Sequence, residues 1–587
     1  MTLDLSQTMQ SAFAAYQRGH WAEAERISRR VLEVRADTFE ALFLLGIIAG
    51  QAGKAGEAVE LLSRAVAANP NSPDAHFNRG VALAELGRAD EALESYERVV
   101  ALNPDYAQAH FNRGVVLGEL RRWDEAIACY DRAVALRRDY AEAHHNRGVA
   151  LAELKRPAEA LESYKRAIAL KPGYPSAYNN AGVALASLDR AAEALHNYER
   201  AIALKPDYAS AHDNRGIALA DLDRAAEALD SHDRAIALNP DYAEGHYNRG
   251  NALRDLHRHA EAVASYERAL ALQPDHASAH WNLADCLLLL SDFARGWKEY
   301  EWRWKLPHRE GKRDFPKPLW LGGQPVEGRT VLLHSEVGLG DTLLFCRYAR
   351  EVAALGAKVI LEVQPPLLPL LTGLEGVART LPRGAVLPEF DYHCPLMSLP
   401  LAFKTDLTSI PAQVPYVRSD PARRAAWNDK LGAKDKPRIA LVWSGSARLK
   451  NDKRSMALNQ MLPLVASGAQ WVSLQKDVPE TDAALLASRP DLQHFGRELR
   501  DFGDTAAVVD LVDLVVTVDT SVANLAGAMG KTVWILLPFN LHDWRWMLER
   551  RDSPWYPTAR LFRQPSAGDW KSVIARVREE LAHEFNF

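Results

Sequence analysis

The chain has 587 residues, 48% of them hydrophobic and 25% charged, which is the composition of a globular protein large enough for several domains. Its net charge of −5 argues against a general nucleic-acid binder, which normally carries a basic excess. The four cysteines are scattered without a CxxC pair, so we expect neither a zinc site nor a disulfide framework. The N-terminal stretch MTLDLSQTMQ lacks the pattern of a signal peptide, and no apolar run approaches the ~18 residues of a membrane span. We therefore expect a cytoplasmic protein.

Residues 1–305 consist of one motif that recurs at a period of about 34 residues. Each unit, for example NRGVALAELGRADEALESYERVVALNP, has apolar residues at helical spacing on both sides of a short glycine-containing turn. A proline such as Pro70 or Pro104 then ends the second helix before the next unit begins. The pattern predicts a series of helix pairs.

This motif resembles the tetratricopeptide repeat (TPR), whose Gly, Ala, aromatic and Pro positions fall here on Gly80, Ala92, Tyr96 and Pro104. The resemblance covers about residues 5–305 and corresponds to about nine units. It implies an α-solenoid in which stacked helix pairs coil into a superhelix with a long concave face.

An asparagine recurs at one position of the repeat, and a histidine often stands two residues before it. The asparagines either bond the backbone of an extended polypeptide acceptor on the concave face or bond the neighbouring repeat. They are Asn78, Asn112, Asn146, Asn180, Asn214, Asn248 and Asn282. For the histidines we favour a structural role. Successive histidines lie on separate repeats, on the order of 10 Å apart, which is too far to share a metal ion.

The end of the solenoid is marked by an aromatic and basic segment, GWKEYEWRWKLP, at residues 296–307. We expect its aromatic residues to close the repeat core and to dock the next domain. The following stretch is rich in proline, glycine and charge, so residues 306–329 are interpreted as a linker.

From residue 330 the sequence predicts two α/β lobes, at 330–415 and 437–587, joined by an interlobe linker at 416–436. Short apolar runs typical of buried parallel strands, such as TVLLHSE, KVILEVQ, RIALVWSG and DLVVTVDT, alternate with helical segments. Residues 378–420 are interpreted as proline-punctuated loops, and the C-terminal segment as a long amphipathic helix. Ligands of such folds bind at the carboxyl ends of the strands.

Three loops would lie at that edge. The first, EVGLGDT, carries Gly338 and Gly340, which allow close approach of a ligand, and Asp341 at a helix start, where an aspartate is also a common N-cap. The second, WSGSARLKNDKRS, combines the hydroxyls of Ser444 and Ser446 with cations suited to a phosphate, although a solvated loop has a similar composition. Its cations are Lys450, Lys453 and Arg454.

The third loop follows the apolar run DLVVTV. The strand ends at Asp519, and Thr520 and Ser521 open a helix rich in alanine and glycine. The free N–H groups of that helix start favour an anion, and Asp519 could instead accept hydrogen bonds from ribose hydroxyls.

Residues 330–565 resemble a GT-B glycosyltransferase domain of the heptosyltransferase-like family 9. The closer resemblance is to bacterial proteins that join TPR arrays to such a domain, including flagellin glycosyltransferases. The stretches that carry it include EVGLGDTLLFCRYA, DKRS, VDTSVANLAGAMGK and DWRWMLERRDSPWYP. The chain is thus interpreted as a TPR superhelix followed by a GT-B-like domain of two Rossmann-like lobes.

The resemblance implies a role for individual residues. Asp341 matches the aspartate that activates the acceptor, Asp519 and Thr520 match the donor-binding pair, and Lys453 with Arg454 beside it matches the phosphate contact. Ser444, Ser446, Gln475 and Ser521 complete the predicted donor site. Asn524 stands where these proteins usually have histidine.

These residues predict a metal-independent protein glycosyltransferase that takes a nucleotide sugar as co-substrate, uses no cofactor, and holds a polypeptide acceptor on its repeats. Two alternatives remain open: a lipopolysaccharide-type sugar transferase, and a catalytically silent scaffold. The second is suggested by Asn524, which replaces the usual histidine. The aromatic residues of DWRW and SPWYP either stack on a sugar or, as we favour, pack in the core. The sequence leaves the donor, the acceptor, the stereochemical outcome and the oligomeric state open.

Overall fold

The computed structural model describes residues 4–307, 312–445, 454–466, 468–539 and 543–586. The chain divides into two compact units, Met1–Asp241 and Tyr242–Phe587.

The first unit is built of helices that pack in consecutive pairs, as the repeat pattern predicts. Its helices are α1 (Leu5–Gln17), α2 (Trp21–Val34), α3 (Phe39–Gln51), α4 (Ala55–Ala68), α5 (Pro73–Glu85), α6 (Ala89–Leu102), α7 (Ala107–Glu119), α8 (Trp123–Leu136), α9 (Ala141–Glu153), α10 (Pro157–Leu170), α11 (Pro175–Ala186), α12 (Ala191–Leu204), α13 (Ala209–Asp221) and α14 (Ala225–Leu238).

The repeated glycine allows the two helices of a pair to approach closely. A Cβ atom at Gly80 would lie 2.7 Å from the ring of Tyr96, which is itself buried. In the α13–α14 pair His232 replaces the tyrosine, and its Nδ1 lies 2.7 Å from the buried carboxylate of Asp213. The small residue and the ring therefore form one packing unit.

The histidines of the repeat contact the end of the preceding helix pair. Nε2 of His76 lies 3.0 Å from the carbonyl oxygen of Pro70, and His110 and His212 make the same contact with the prolines six residues before them. Each ring thus engages a backbone carbonyl in the turn between one helix pair and the next. These contacts agree with the structural role that we expect for the repeat histidines.

The second unit begins with four further repeat helices and a short 3₁₀ segment, Glu301–Lys305. The helices are α15 (Ala243–Asp255), α16 (His259–Leu272), α17 (Ala277–Leu289) and α18 (Phe293–Tyr300). Within the described part of 1–305 the chain therefore forms nine helix pairs, the number of units that the sequence predicts.

Two parallel sheets follow. The first has the order β3-β2-β1-β4 and consists of β1 (Thr330–His334), β2 (Lys358–Val363), β3 (Val377–Pro382) and β4 (Tyr392–Pro395). The second has the order β10-β9-β8-β5-β6-β7 and consists of β5 (Arg438–Val442), β6 (Gln470–Ser473), β7 (Leu492–His494), β8 (Leu514–Val518), β9 (Val533–Leu537) and β10 (Ala559–Arg563).

Helices cover these sheets, which is why β5, β8 and β9 are buried along their whole length and are mostly apolar. They are α19 (Leu339–Phe345), α20 (Tyr348–Ala354), α21 (Leu368–Leu371), α22 (Leu399–Ala402), α23 (Pro421–Leu431), α24 (Leu458–Met461), α25 (Glu480–Ala487), α26 (Phe502–Leu511), α27 (Ser521–Ala528) and α28 (Trp570–Phe585).

The interpretation of residues 378–420 as loops is wrong in part, because β3 and β4 lie largely or wholly within this range. Exposed positions interrupt β3, and β4 is only four residues long, so neither gives the continuous apolar run of a buried strand. The preceding linker also joins this sheet: Trp320 is buried, and its backbone N–H donates to the carbonyl of His393 in β4 at 2.8 Å.

The last repeat helices share one core with the sheets. Leu288 and Trp297 belong to the same buried cluster as Phe345 of α19 and Trp555 of the second lobe. The indole of Trp297 donates to the carbonyl oxygen of Thr405 at 3.0 Å. The expectation that the aromatic segment docks the next domain is confirmed.

Candidate active site

The glycine loop after β1 places Asp341 in the first turn of α19. A Cβ atom at position 338 would lie 2.3 Å from Oδ2 of Asp341, so a glycine is required there for the carboxylate to fold back over the loop. Gln364 fixes the loop through bonds from Nε2 to the carbonyls of Val337 and Gly338, both at 3.3 Å. Asp341 therefore has a defined position.

A buried ion pair ties this loop to the end of the repeats. Arg303 donates from Nε and Nη2 to the two carboxylate oxygens of Glu336, at 3.0 and 2.8 Å. It also donates to Glu301 at 2.6 Å and to Ser398 at 2.7 Å. Arg303 and Glu336 are both almost fully buried, so this ion pair joins the end of the repeats to the glycine loop away from solvent.

The third predicted loop has the geometry of a helix start. Thr520 is the N-cap of α27, and its hydroxyl accepts from the backbone N–H of Val522 at 3.3 Å. Asn524 is buried: its Nδ2 donates to the carbonyl of Thr520 at 3.1 Å, and its Oδ1 accepts from the hydroxyl of Tyr556 at 3.0 Å. The amide is thus held by the fold on both sides.

The first and third loops meet. A Cβ atom at Gly340 would lie 2.9 Å from Nδ2 of Asn524 and 3.7 Å from Cα of Ser521. The helix starts of α19 and α27, one from each lobe, are therefore in direct contact. This brings Asp341 beside the segment that begins at Asp519.

Arg545, which sequence reasoning did not single out, joins the segment that follows β9 to the loop that follows β1. Its Nη2 contacts the carboxylate of Asp341, and its Nη1 donates to both oxygens of Asp543, at 3.0 and 2.9 Å. Burial lowers the pKa of this guanidinium, but Asp543 and Asp341 more than offset the loss and hold its pKa above the ordinary value. Arg545 therefore stays charged.

Two more carboxyl groups belong to this charged cluster. Burial and the nearby Asp543 raise the pKa of Asp519 to about 6, against the opposing effect of Arg454, whose Nη1 lies 3.6 Å away, and of Arg545. Burial likewise raises the pKa of Asp285 in α17 to about 7, with Asp543 adding to the shift. Close to neutral pH, the site thus contains carboxyl groups that can hold a proton.

Part of the second predicted loop lies outside the described residues, including Ser446, Lys450 and Lys453. Ser444 is only 7% exposed, and its hydroxyl has no hydrogen-bond partner within the part of the chain that the structure describes. Gln475 accepts from the backbone N–H groups of Trp443 and Ser444 and donates to the carbonyls of Ser444 and Asp477. The Gln475 amide thus fixes the loop, and its direct contact with a nucleotide-sugar donor stays a prediction.

The asparagine row makes contacts between repeats. Nδ2 of Asn180 lies 3.2 Å from Nε2 of His145 in the preceding repeat, and Asn214 donates to Asn179 at 3.0 Å. In the second unit Asn282 donates to Asn251 at 2.8 Å, whereas Asn78 bonds the carbonyl of Asp74 in its own helix at 2.8 Å. The role of the row in acceptor binding stays a prediction.

The aromatic residues that follow β9 pack in the core. Trp544, Trp546, Trp555 and Tyr556 are each 2% exposed or less, and the Trp544 and Trp555 rings lie 5.4 Å apart. Stacking of a sugar on these rings is therefore not supported, and core packing is confirmed. The charged residues of DWRW, Asp543 and Arg545, bond each other, and Arg545 also contacts Asp341.

Among the described residues, no three His, Cys, Asp or Glu side chains come together as a metal-ion ligand set. No helix in the described ranges is both long and apolar enough to cross a membrane.

Comparison with known proteins identifies the repeats. The tetratricopeptide repeat model matches residues 11–73, 46–107, 77–134, 111–175, 179–243 and 247–300. Protein FlbA of Caulobacter vibrioides is 27% identical over 323 residues, which is 50% of this chain and 53% of FlbA. The chain thus spans about half the length of this relative.

Solved structures also resemble parts of the chain. YrrB, described as a TPR protein with an unusual peptide-binding site, is 24% identical, and the match covers 32% of this chain and 97% of YrrB with a TM-score of 0.30. PilF of Pseudomonas aeruginosa is 22% identical, and the match covers 34% of this chain and 92% of PilF with a TM-score of 0.32.

Proposed function

We propose that this tetratricopeptide-repeat protein is a metal-independent glycosyltransferase that transfers a sugar from a nucleotide-sugar donor to a polypeptide acceptor. The observation that carries the proposal is the contact between the helix starts of α19 and α27, which brings Asp341 and Arg545 together where two parallel-sheet lobes meet. Ligands of open α/β sheets bind at the carboxyl ends of strands, where these groups lie.

The chemistry needs a base and a stabilised leaving group. In the proposed reaction Asp341 accepts the proton of an acceptor hydroxyl, whose oxygen forms a bond to the anomeric carbon of the sugar. The bond between that carbon and the donor phosphate oxygen breaks, and the nucleotide leaves with the electron pair. Arg454 and the N–H groups at the start of α27 would stabilise its charge, with Lys453 as a further predicted contact.

The acceptor is proposed to be a protein, because TPR arrays commonly present extended binding surfaces. Two features of the second unit favour a link between repeats and chemistry. Asp285 of α17 belongs to the charged cluster, and Arg303 bonds the loop that carries Asp341.

The test is nucleotide release by the full-length protein with a panel of nucleotide sugars and candidate protein acceptors. Asp341→Asn is expected to lower turnover by about 10²- to 10⁴-fold, the usual contribution of a general base. The exposed Asp429→Asn serves as the control and should leave turnover unchanged. Equal turnover of the Asp341→Asn variant and the wild type would refute the mechanism.

The silent-scaffold alternative has a specific observation in its favour. Asn524 occupies the position of the family's usual histidine, and its amide is bonded to Thr520 and Tyr556. If the wild type binds partner proteins but neither binds nor turns over any nucleotide sugar, this alternative is the better one.

A further inference from the structure

We propose that Arg545 exchanges partners during the reaction: its Nη2 edge holds Asp341 before the donor binds, and then binds the donor phosphate and releases Asp341. This inference rests on the proposed function. It adds a residue that binds the leaving group and determines when the base becomes available.

The first step of the argument is that the two edges of the guanidinium have different partners. Nη1 donates to Asp543, whose carboxylate also accepts from the backbone N–H of Arg545 at 2.9 Å. The carbonyl of Arg545 in turn accepts from the hydroxyl of Ser553 at 3.1 Å. The residue is thus anchored within the second lobe by its backbone and by one edge, while Nη2 reaches across to Asp341 of the first lobe.

The second step concerns Asp341. A carboxylate oxygen that is bonded to a guanidinium has a lone pair occupied, which hinders it from taking a proton from a hydroxyl group. The Asp341 side chain is only 26% exposed and that of Arg545 13%, so bulk water screens the pair weakly. A competing anion on Nη2 would free this oxygen of Asp341 for the acceptor hydroxyl.

The third step identifies that anion. A donor diphosphate carries more negative charge than one carboxylate and would also meet the N–H groups at the start of α27, so it can compete for the Nη2 edge. The position lies next to the start of α27, since Gly340 is within contact distance of Ser521 and Asn524. The buried hydroxyl of Ser444, which has no partner among the described residues, adds a further donor in the same lobe. The geometry thus favours a nucleotide phosphate.

The experiment measures the affinity of the full-length protein for UDP, GDP, ADP, CDP and CMP, each separately, by isothermal titration calorimetry. For the nucleotide that binds, Arg545→Gln should weaken binding by about 10- to 100-fold, the range for a lost hydrogen bond to a charged group. Asp341→Asn should tighten binding by about three- to tenfold, because the Nη2 edge no longer has a competing carboxylate. Arg545→Lys should recover part of the affinity.

The matched control is Arg550→Gln, which removes an exposed arginine of the same segment that pairs with Asp552. It should leave the affinity unchanged, and circular dichroism of every variant checks that the fold is retained. If none of the nucleotides binds the wild type, the proposed function fails and this inference with it. If a nucleotide binds but its affinity is the same in Asp341→Asn, or in Arg545→Gln, only the partner exchange is overturned.

Discussion

The guanidinium of Arg303 and the carboxylate of Glu336 form two parallel hydrogen bonds, at 3.0 and 2.8 Å, inside the protein. Arg303 closes the last repeat, whereas Glu336 begins the loop that leads to Asp341. The position of the proposed base therefore depends on a residue of the repeat segment.

Replacement of Arg303 by methionine should destabilise the protein by about 3–5 kcal/mol, because the buried Glu336 would lose both hydrogen bonds from this guanidinium. Urea unfolding measures the change. The control is Arg329→Met, which removes an arginine that is 60% exposed and lies 3.6 Å from Asp391, and should cost less than about 1 kcal/mol. Similar losses in the two variants would contradict the role of the buried pair.

Gly338→Ala should reduce turnover at least about tenfold while the protein stays folded. The added Cβ would lie 2.3 Å from the carboxylate of Asp341 and displace it, and misplacement of a catalytic group by about 1 Å can cost 10²-fold. Nucleotide release and thermal unfolding are measured in parallel. Gly323→Ala, where the new Cβ meets nothing within 4 Å, should behave as the wild type.

The stability of the protein should depend on pH through Asp285. The folded-state pKa of about 7 exceeds the ordinary value of 3.8, so the folded state binds the proton more tightly than the unfolded state. Stability is therefore lost as the pH rises from about 4 to 7, where the folded protein must ionise this half-buried carboxyl.

Asp285→Asn removes that cost and should stabilise the protein by about 1–3 kcal/mol at pH 8, with no gain near pH 4. Urea unfolding at pH 4, 6 and 8 gives the comparison with the wild type. An effect that is the same at all three pH values would count against this assignment. The exposed Asp275→Asn should show no trend with pH.

Truncation should distinguish the repeats that belong to the second unit from the others. A fragment of residues 242–587 is expected to unfold cooperatively, because it corresponds to one compact unit. A fragment of residues 291–587 loses Leu288 and Leu289, which pack in the core shared with the sheets, and should aggregate or melt at least 10 °C lower. Equal melting temperatures of the two fragments would contradict the shared core.

The repeats and most strands could be predicted because their signals are local. A fixed period marked the helix pairs, and continuous apolar runs marked β1, β2, β5, β8 and β9. The short strands β7 and β10 lack such a run. Asp341 and Asp519 could be located because each follows a buried strand.

The remaining site residues could not be found in this way because their proximity depends on tertiary structure. Arg545 and Asp341 are 204 positions apart. In the sequence, the most conspicuous residues around Arg545 are the neighbouring tryptophans. Asp285 takes the repeat position that Val81, Val115, Val149, Val183 and Ile217 hold in earlier units, but the sequence alone does not show which groups it faces. Burial, which gives Asp285 and Asp519 their unusual pKa values, has no signature in one sequence.

Trp297, Trp544 and Trp555 come from the last repeat and from the second lobe, and their rings lie 5.1 to 6.4 Å apart. Indoles this close couple electronically, so a change at the joint between the repeats and the second sheet should alter the near-ultraviolet circular dichroism of the protein. The protein thereby carries a built-in optical probe of whether that joint stays closed when a ligand enters.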